Sequence, residues 1–291
     1  MPLKDAIFKL IDSPFRIRNA LKRKLQKRSL FSDSTNLSDS EVTFYQSAVQ
    51  RILRNERNFR RFRRIYDYRE ILEHVDYNLG LRYLTKIKQT DSKLLENFDL
   101  FKDNDVLGKP RIHNFPRIGK TSPTTLRYVA VASEVKELFA GQEISNMVEI
   151  GAGYGGQALI FEKMSYFSKY KIFDLPDVQL LIAKYLANFE VRGVSFPDIY
   201  NVNIVESDLV ISNYAFSELP RNLQEIYLER VIKHAKNGYL LMNSGKDNLT
   251  GRSDGKFSID ELRIIIPEIQ VLKENPITGP DNYLIIWKSK S

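Results

Sequence analysis

Apolar positions follow two different rhythms along this chain. Up to about residue 140 they recur mainly at helical spacing, and beyond it they come in short runs separated by amphipathic stretches. Leu3, Ile7, Leu10 and Ile11 stripe a basic segment, which predicts one helix or a pair over 1–28, interrupted at Pro14. Residues 29–40 (SLFSDSTNLSDS) favour turns and solvent over packing and read as a linker. A helical region follows from 41 to about 101, where Phe59, Phe62, Tyr66 and Tyr68 interleave with arginines. An aromatic core stripe flanked by solvated arginines fits that pattern, and so does an arginine face for nucleic acid. Residues 103–122 hold Gly108, Pro110, Pro116 and Gly119 and read as a long loop. Ser122 as N-cap and Pro123 in the first turn then open a helix with Tyr128, Val131, Val135 and Leu138 on one face, closed by Gly141.

From residue 147 the spacing predicts strands over 147–150, 170–173, 194–196, 209–212 and 239–242, alternating with helices over 157–168, 176–187 and 222–235. Ser258 and Glu261 form a capping box for one more helix. Such alternation defines an α/β domain with a doubly wound parallel sheet. The chain closes differently. Two strands, 269–274 and 283–287, follow each other with no helix between them, and so short a connection forces an antiparallel pair. The organisation is therefore a basic arm (1–28), a linker (29–40), a helical cap that would bear on substrate (41–120) and an α/β domain (121–291).

Composition narrows the chemistry. The 291 residues contain no cysteine, which excludes disulfides and thiolate chemistry, and three histidines, too few for a multi-histidine metal centre; no metal is expected. No apolar run reaches the roughly 20 residues of a membrane span, and the N-terminus lacks a signal peptide's apolar stretch, so a cytoplasmic enzyme is expected. The net charge of +8 sits in the N-terminal third: residues 1–28 carry nine Lys/Arg against Asp5 and Asp12, and 51–69 carry eight Arg against Glu56 and Asp67. The α/β domain is slightly acidic from 141 onward, which disfavours nucleic acid as a partner. The arm could meet an anionic surface on the inner membrane face, or pack on the protein or a second subunit. Oligomeric state is left open.

The segment Val148-Glu149-Ile150-Gly151-Ala152-Gly153-Tyr154-Gly155-Gly156 runs from a buried strand into a helix, with glycines where the backbone must turn sharply and approach a ligand. Gly151, Gly153 and Gly156 also satisfy a dinucleotide fingerprint. Asp174, at the end of the next strand, suits two ribose hydroxyls, which NAD and S-adenosyl-L-methionine both present. Two features separate them. Glu149 suits a sulfonium cofactor and would repel a pyrophosphate, and the terminal antiparallel hairpin closes a methyltransferase sheet rather than a nicotinamide domain.

On VEIGAGYGGQA (148–158), FDLPDV (173–178), SNYAFSEL (212–219), TSPTTLRY (121–128) and PITGPDNYLIIW (276–287), the chain resembles class I S-adenosylmethionine-dependent methyltransferases, and more narrowly the bacterial sugar O-methyltransferases. The resemblance implies a Rossmann-like seven-stranded sheet of order 3-2-1-4-5-7-6 with the last strand antiparallel. It also implies methyl transfer to a hydroxyl of a sugar, nucleotide sugar or glycan precursor. Glu149, Gly151, Gly153, Tyr154, Gly155, Asp174, Leu175 and Asn213 would line the cofactor, with Asn213 to Glu218 at the mouth and Tyr214 and Ser217 facing the acceptor. Arg127 and Tyr128 could reach the cofactor carboxylate or the acceptor. Glu218, just past the fourth strand, is the first candidate for general base, and His113, in the 103–122 loop, is the second; His74 and His234 read as structural. A nucleic-acid methyltransferase using the arginines of 51–69, and a non-catalytic cofactor-binding protein, are the alternatives.

Overall fold

The computed structural model describes residues 37–243 and 256–289, with side chains from residue 45 onward. The basic arm expected over 1–28 lies outside the described residues, as does most of the linker. Helix α1 (Leu37–Leu53) already occupies the linker's last positions. It is followed by α2 (Glu56–Phe59), a 3-10 turn at Phe62–Arg64, α3 (Tyr66–Leu72) and α4 (Tyr77–Thr90). Asp76 caps α4 by accepting the Leu79 amide at 2.7 Å. Residues 103–122 are not one long loop. A 3-10 stretch (Phe98–Asp105) leads into a small antiparallel hairpin, β1 (His113–Phe115) and β2 (Gly119–Thr121). Three-residue strands are too short to show a period of two, and burial of Phe115 and Ile118 at the turn fixes them instead.

Helix α5 (Pro123–Leu138) starts as its cap chemistry dictates, with Ser122 Oγ accepting the Thr125 amide at 3.1 Å. The α/β domain then runs β3 (Asn146–Ile150), α6 (Gly156–Lys163), β4 (Lys169–Phe173), α7 (Pro176–Leu186), β5 (Val194–Ser195), β6 (Ser207–Asn213), α8 (Ala215–Glu218), α9 (Arg221–Arg230), β7 (Ala235–Met242), α10 (Ile259–Ile265), β8 (Gln270–Lys273) and β9 (Tyr283–Trp287). The sheet order is β5-β4-β3-β6-β7-β9-β8, and every neighbouring pair is parallel except the two made by β9. Counted within the sheet this is 3-2-1-4-5-7-6 with the last strand reversed, the class I methyltransferase topology. The Ser258–Glu261 capping box is present in both directions.

In the α/β domain three predicted boundaries shift by four residues or more. The helix expected over 157–168 stops at Lys163, because Ser165 turns left-handed (φ 51°) and Tyr166 folds back to stack on Phe161 at 5.5 Å. The helix expected to reach 235 ends at Arg230, and β7 begins at Ala235 rather than 239. Asn237 reaches the Asp208 carbonyl at 2.8 Å, and Gly238 lies under Trp287, where an added Cβ would stand 2.1 Å from the indole.

One face of the sheet is covered by α5, α6, α7 and the N-terminal helices, which share one apolar cluster. The other is covered by α9 and α10. The cap is thus continuous with the main core. Its polar centre is Arg63, fully buried, which donates to Glu73 at 2.6 and 3.2 Å, to the Asn104 carbonyl at 2.8 Å and to Ser122 Oγ at 3.1 Å, with Asp105 at 3.5 Å.

Candidate functional site

The β3–α6 connection sits at the carboxyl edge of the sheet, where open α/β folds bind ligands. Gly151, Gly153 and Gly155 all take left-handed φ (74°, 62° and 88°) that L side chains rarely adopt. Gly151 has a second constraint: a Cβ there would stand 2.0 Å from Ala215 Cβ, so the turn presses directly on α8. Gly156 is held under the Tyr128 ring, 2.4 Å from its virtual Cβ.

Asp174 braces this turn. Its carboxylate accepts from the Ala152 amide at 2.9 Å and the Leu175 amide at 2.8 Å. Burial pushes its pKa up to about 6, against the backbone donors Leu175, Ala152 and Gly153 that hold it down. Leu175 enters the site through that amide. Glu149 does not present an exposed charge: it is 1% exposed and accepts the Tyr170 hydroxyl at 2.9 Å. Burial raises its pKa to about 8; Asp174 adds to the shift, while the Tyr170 bond and Arg127 oppose it. The simple picture of a fixed negative charge facing a sulfonium is thereby corrected, because the carboxyl is neutral near pH 7 unless a cation arrives.

The ring of Tyr154 is turned inward and fully buried. It packs edge-on against Phe62 (5.3 Å), Tyr128 (5.8 Å) and Tyr185 (5.0 Å), beneath the Arg63 guanidinium at 4.9 Å. Only its backbone is left to the glycine turn, since cap and domain enclose the ring.

Among the described residues, the polar groups near this edge without a hydrogen-bond partner include Arg127 and Asn213, and Gln157 Oε1 at the start of α6 is another. Arg127 is 7% exposed, with its guanidinium 5.8 Å from the Tyr128 ring and 5.4 Å from the Tyr214 ring, and no acceptor among the described residues lies within hydrogen-bonding distance. Burial works against its charge, but Tyr83, Tyr214, Tyr128 and Glu274 outweigh that and hold its pKa above the ordinary arginine value. Asn213, the last residue of β6, has a buried side-chain oxygen that accepts nothing among the described residues. Buried polar atoms are normally satisfied.

The candidate acceptor side is more tied up. Tyr214 takes a left-handed φ of 72°, and its hydroxyl donates to the buried Glu274 carboxylate and lies 3.0 Å from Thr278 Oγ1. Ser217 is buried, donating to the Tyr214 carbonyl at 2.7 Å and accepting the Asn243 amide at 2.9 Å. Glu218 is exposed and accepts the Asn243 side chain at 2.7 Å. His113 is half-buried on β1 with its ring 5.5 Å from Tyr77, and among the described residues it has no hydrogen bond or ring contact with the 213–218 segment.

Residues not anticipated from sequence complete the surroundings. Leu72 lies 3.4 Å from where a Gly153 Cβ would be, and burial together with the nearby Asp174 pushes the Tyr45 hydroxyl up. Glu274 anchors Tyr214. No local motif marks any of the three. A cleft of about 350 Å³ between Ile232, Lys236, Ile266 and Trp287 opens at the opposite, amino-terminal edge of the sheet, away from this chemistry.

No family model matches the chain, and no curated protein matches it in sequence. Among solved structures it is similar to the N-methyltransferase NodS from Bradyrhizobium japonicum in complex with S-adenosyl-L-homocysteine (15% identity, 57% of this chain and 86% of that one, TM-score 0.41). It is also similar to the N-terminal domain of EvdMO1 with S-adenosylhomocysteine bound (12%, 68% and 97%, TM-score 0.43). A third is an O-methyltransferase family 2 protein from Planctomyces limnophilus complexed with apigenin (14%, 56% and 58%, TM-score 0.41). At this distance the class assignment rests on strand order and glycine turn: the described domain has the class I methyltransferase fold.

Proposed function

We propose that this chain is an S-adenosylmethionine-dependent O-methyltransferase acting on a hydroxyl of a sugar or glycan precursor. The observation that carries the cofactor is the pair of unsatisfied groups at the carboxyl edge. Among the described residues Arg127 is a buried cation with no hydrogen-bonded acceptor, and Asn213 offers a buried oxygen with no donor. A carboxylate and an ammonium on one carbon satisfy both, and the methionine end of the cofactor carries that pair. Asp174 keeps lone pairs for ribose hydroxyls beyond those used by Ala152 and Leu175. NAD offers the ribose but no amino-acid end.

When bound, the cofactor supplies an electrophilic methyl on a sulfonium. The chain's part is to align the acceptor and take its proton. Glu218, on the same edge as the glycine turn, would accept the proton of the acceptor hydroxyl. His113 is the alternative base. The sugar class rests on the family resemblance. The nucleic-acid alternative is weakened by the arginines of 51–69: Arg63 is buried, Arg64 donates to the Lys109 and Pro110 carbonyls, and Arg51, Arg60 and Arg69 pair with Asp67, Glu56 and Glu70.

Transfer of a labelled methyl group to a panel of sugars and nucleotide sugars tests the reading. Glu218→Gln is expected to lower turnover by roughly 100-fold or more, the scale of general-base catalysis, with cofactor affinity unchanged. Normal turnover in both Glu218→Gln and His113→Ala would remove both bases, and no transfer to any hydroxyl acceptor would remove the activity.

A further inference from the structure

The β1–β2 hairpin and the segment leading into it carry four cations that no acid pairs with among the described residues; Asp105, the carboxylate bonded to β2, is engaged by Thr121, Ser122, Thr125 and Arg63. No Asp or Glu occurs between Asp105 and Glu134, whereas Lys109, Arg111, Arg117 and Lys120 all fall in that interval. All four are exposed, and none of their side chains has a hydrogen-bond or ion-pair partner among the described residues. Gathering like charges on one small element is unfavourable without a counter-charge.

The hairpin is a fixed frame. Phe115 is buried against Gly80, where an added Cβ would stand 2.7 Å from the ring, and Thr121 Oγ1 donates to Asp105 at 2.7 Å. Its position is set by α4. The Phe115 and His113 rings lie 4.9 and 5.5 Å from Tyr77, the first residue of that helix, shortly after Leu72 covers Gly153. Further along α4, Arg82 donates to the Ile277 carbonyl at 3.2 Å, in the β8–β9 connection at the carboxyl edge. Strand β2 in turn leads directly into α5, which carries Arg127. The hairpin is therefore held between α4 and α5, both of which reach the carboxyl edge, through Arg82 and Arg127 respectively.

We propose that the β1–β2 hairpin binds the phosphate or diphosphate of the acceptor, so that the substrate is a sugar phosphate or nucleotide sugar rather than a neutral sugar, which rests on the methyltransferase reading above. Lys109 and Arg111 lead into β1, Arg117 lies in the turn and Lys120 on β2; strands of three residues span only about 10 Å, so the group is small for a tracked nucleic-acid backbone and suits one or two phosphates.

Calorimetry on the full chain tests this with inorganic pyrophosphate, a hexose phosphate and UDP-glucose, the last two separating the sources of the anion. The double variant Arg111→Ala/Arg117→Ala is expected to weaken binding of pyrophosphate and of one sugar ligand by about tenfold or more, the scale of two lost charge-assisted contacts. S-adenosylhomocysteine affinity and the thermal midpoint should stay unchanged. Lys88→Ala/Lys93→Ala, exposed lysines outside the hairpin, should leave all three anions unaffected. The proposal falls if the wild type binds S-adenosylhomocysteine but none of the anions, if the lysine variant loses as much, or if a single-stranded RNA oligomer binds more tightly through the same arginines. Anion binding that depends on Arg111 and Arg117 in a chain that does not bind S-adenosylhomocysteine would support the hairpin site and overturn the methyltransferase reading.

Discussion

Glu149 and Asp174 show how one charged residue type is put to two uses by its surroundings. Glu149 stays neutral up to about pH 8 in the folded chain, against an ordinary value of 4.5, because burial penalises its charge. The unfolded chain releases that proton above about 4.5, so folding takes up a proton between the two values, and Glu149's contribution to stability falls as pH rises through this window. Glu149→Gln keeps an acceptor for Tyr170 without the ionisation. Urea unfolding should find it more stable than the wild type by roughly 3 kcal/mol near neutral pH, from the roughly 2.5 pH units between the unfolded value and pH 7, with the gap closing in acid. A variant less stable at every pH would mean that the ionised carboxylate is needed structurally. Asp174 titrates lower, about 6, and its ionised form is the one that accepts ribose hydroxyls. Cofactor affinity should therefore fall as pH drops through about 6, and Asp174→Asn should flatten that profile; an unchanged profile would remove Asp174 from the site. The glycine turn was legible in the sequence because its geometry is local, and Asp174 because it directly follows the next strand of the alternation. Glu274, Leu72 and Tyr45 were not, since each meets its partner from a distant part of the chain.

At the level of elements, the run Thr121-Ser122-Pro123-Thr124-Thr125 is as much a structural joint as a motif. Thr121, the Ser122 amide and Thr125 converge on Asp105 at 2.7 to 2.8 Å, and Thr124 donates to Glu73 at 3.0 Å, so the start of α5 is tied to the cap on both sides of Arg63. Removing Arg63 would leave Glu73 and Asp105 largely buried without their cation. Arg63→Ala is expected to cost about 3–5 kcal/mol, the scale for breaking a buried pair, read as a lowered midpoint of chemical denaturation. A loss below about 1 kcal/mol, the range of exposed pairs, would show that the joint is solvated and the cap only loosely held. The strands and helices of the α/β domain were readable because each buries one face at a regular period. The β1–β2 hairpin was not, because its strands are short and Phe115 and Ile118 are held by contacts with distant elements.

For the whole molecule, the cap and the α/β domain share one apolar cluster, and Leu72 and Tyr45 bring the cap over the glycine turn. The alternation and the closing hairpin pointed to a parallel sheet with an antiparallel end and the strand order came from the family resemblance, while the cap's placement depended on an Arg63 that composition alone would assign to solvent. The central claim is that this edge takes a cofactor with both a ribose and an amino-acid end. Calorimetry of the full chain with S-adenosylhomocysteine and with NAD measures it most directly. The expected result is saturable binding of S-adenosylhomocysteine, none of NAD, and a loss of at least roughly tenfold in Arg127→Ala, the scale of one charge-assisted hydrogen bond. NAD binding, or S-adenosylhomocysteine affinity untouched by Arg127→Ala, would contradict it.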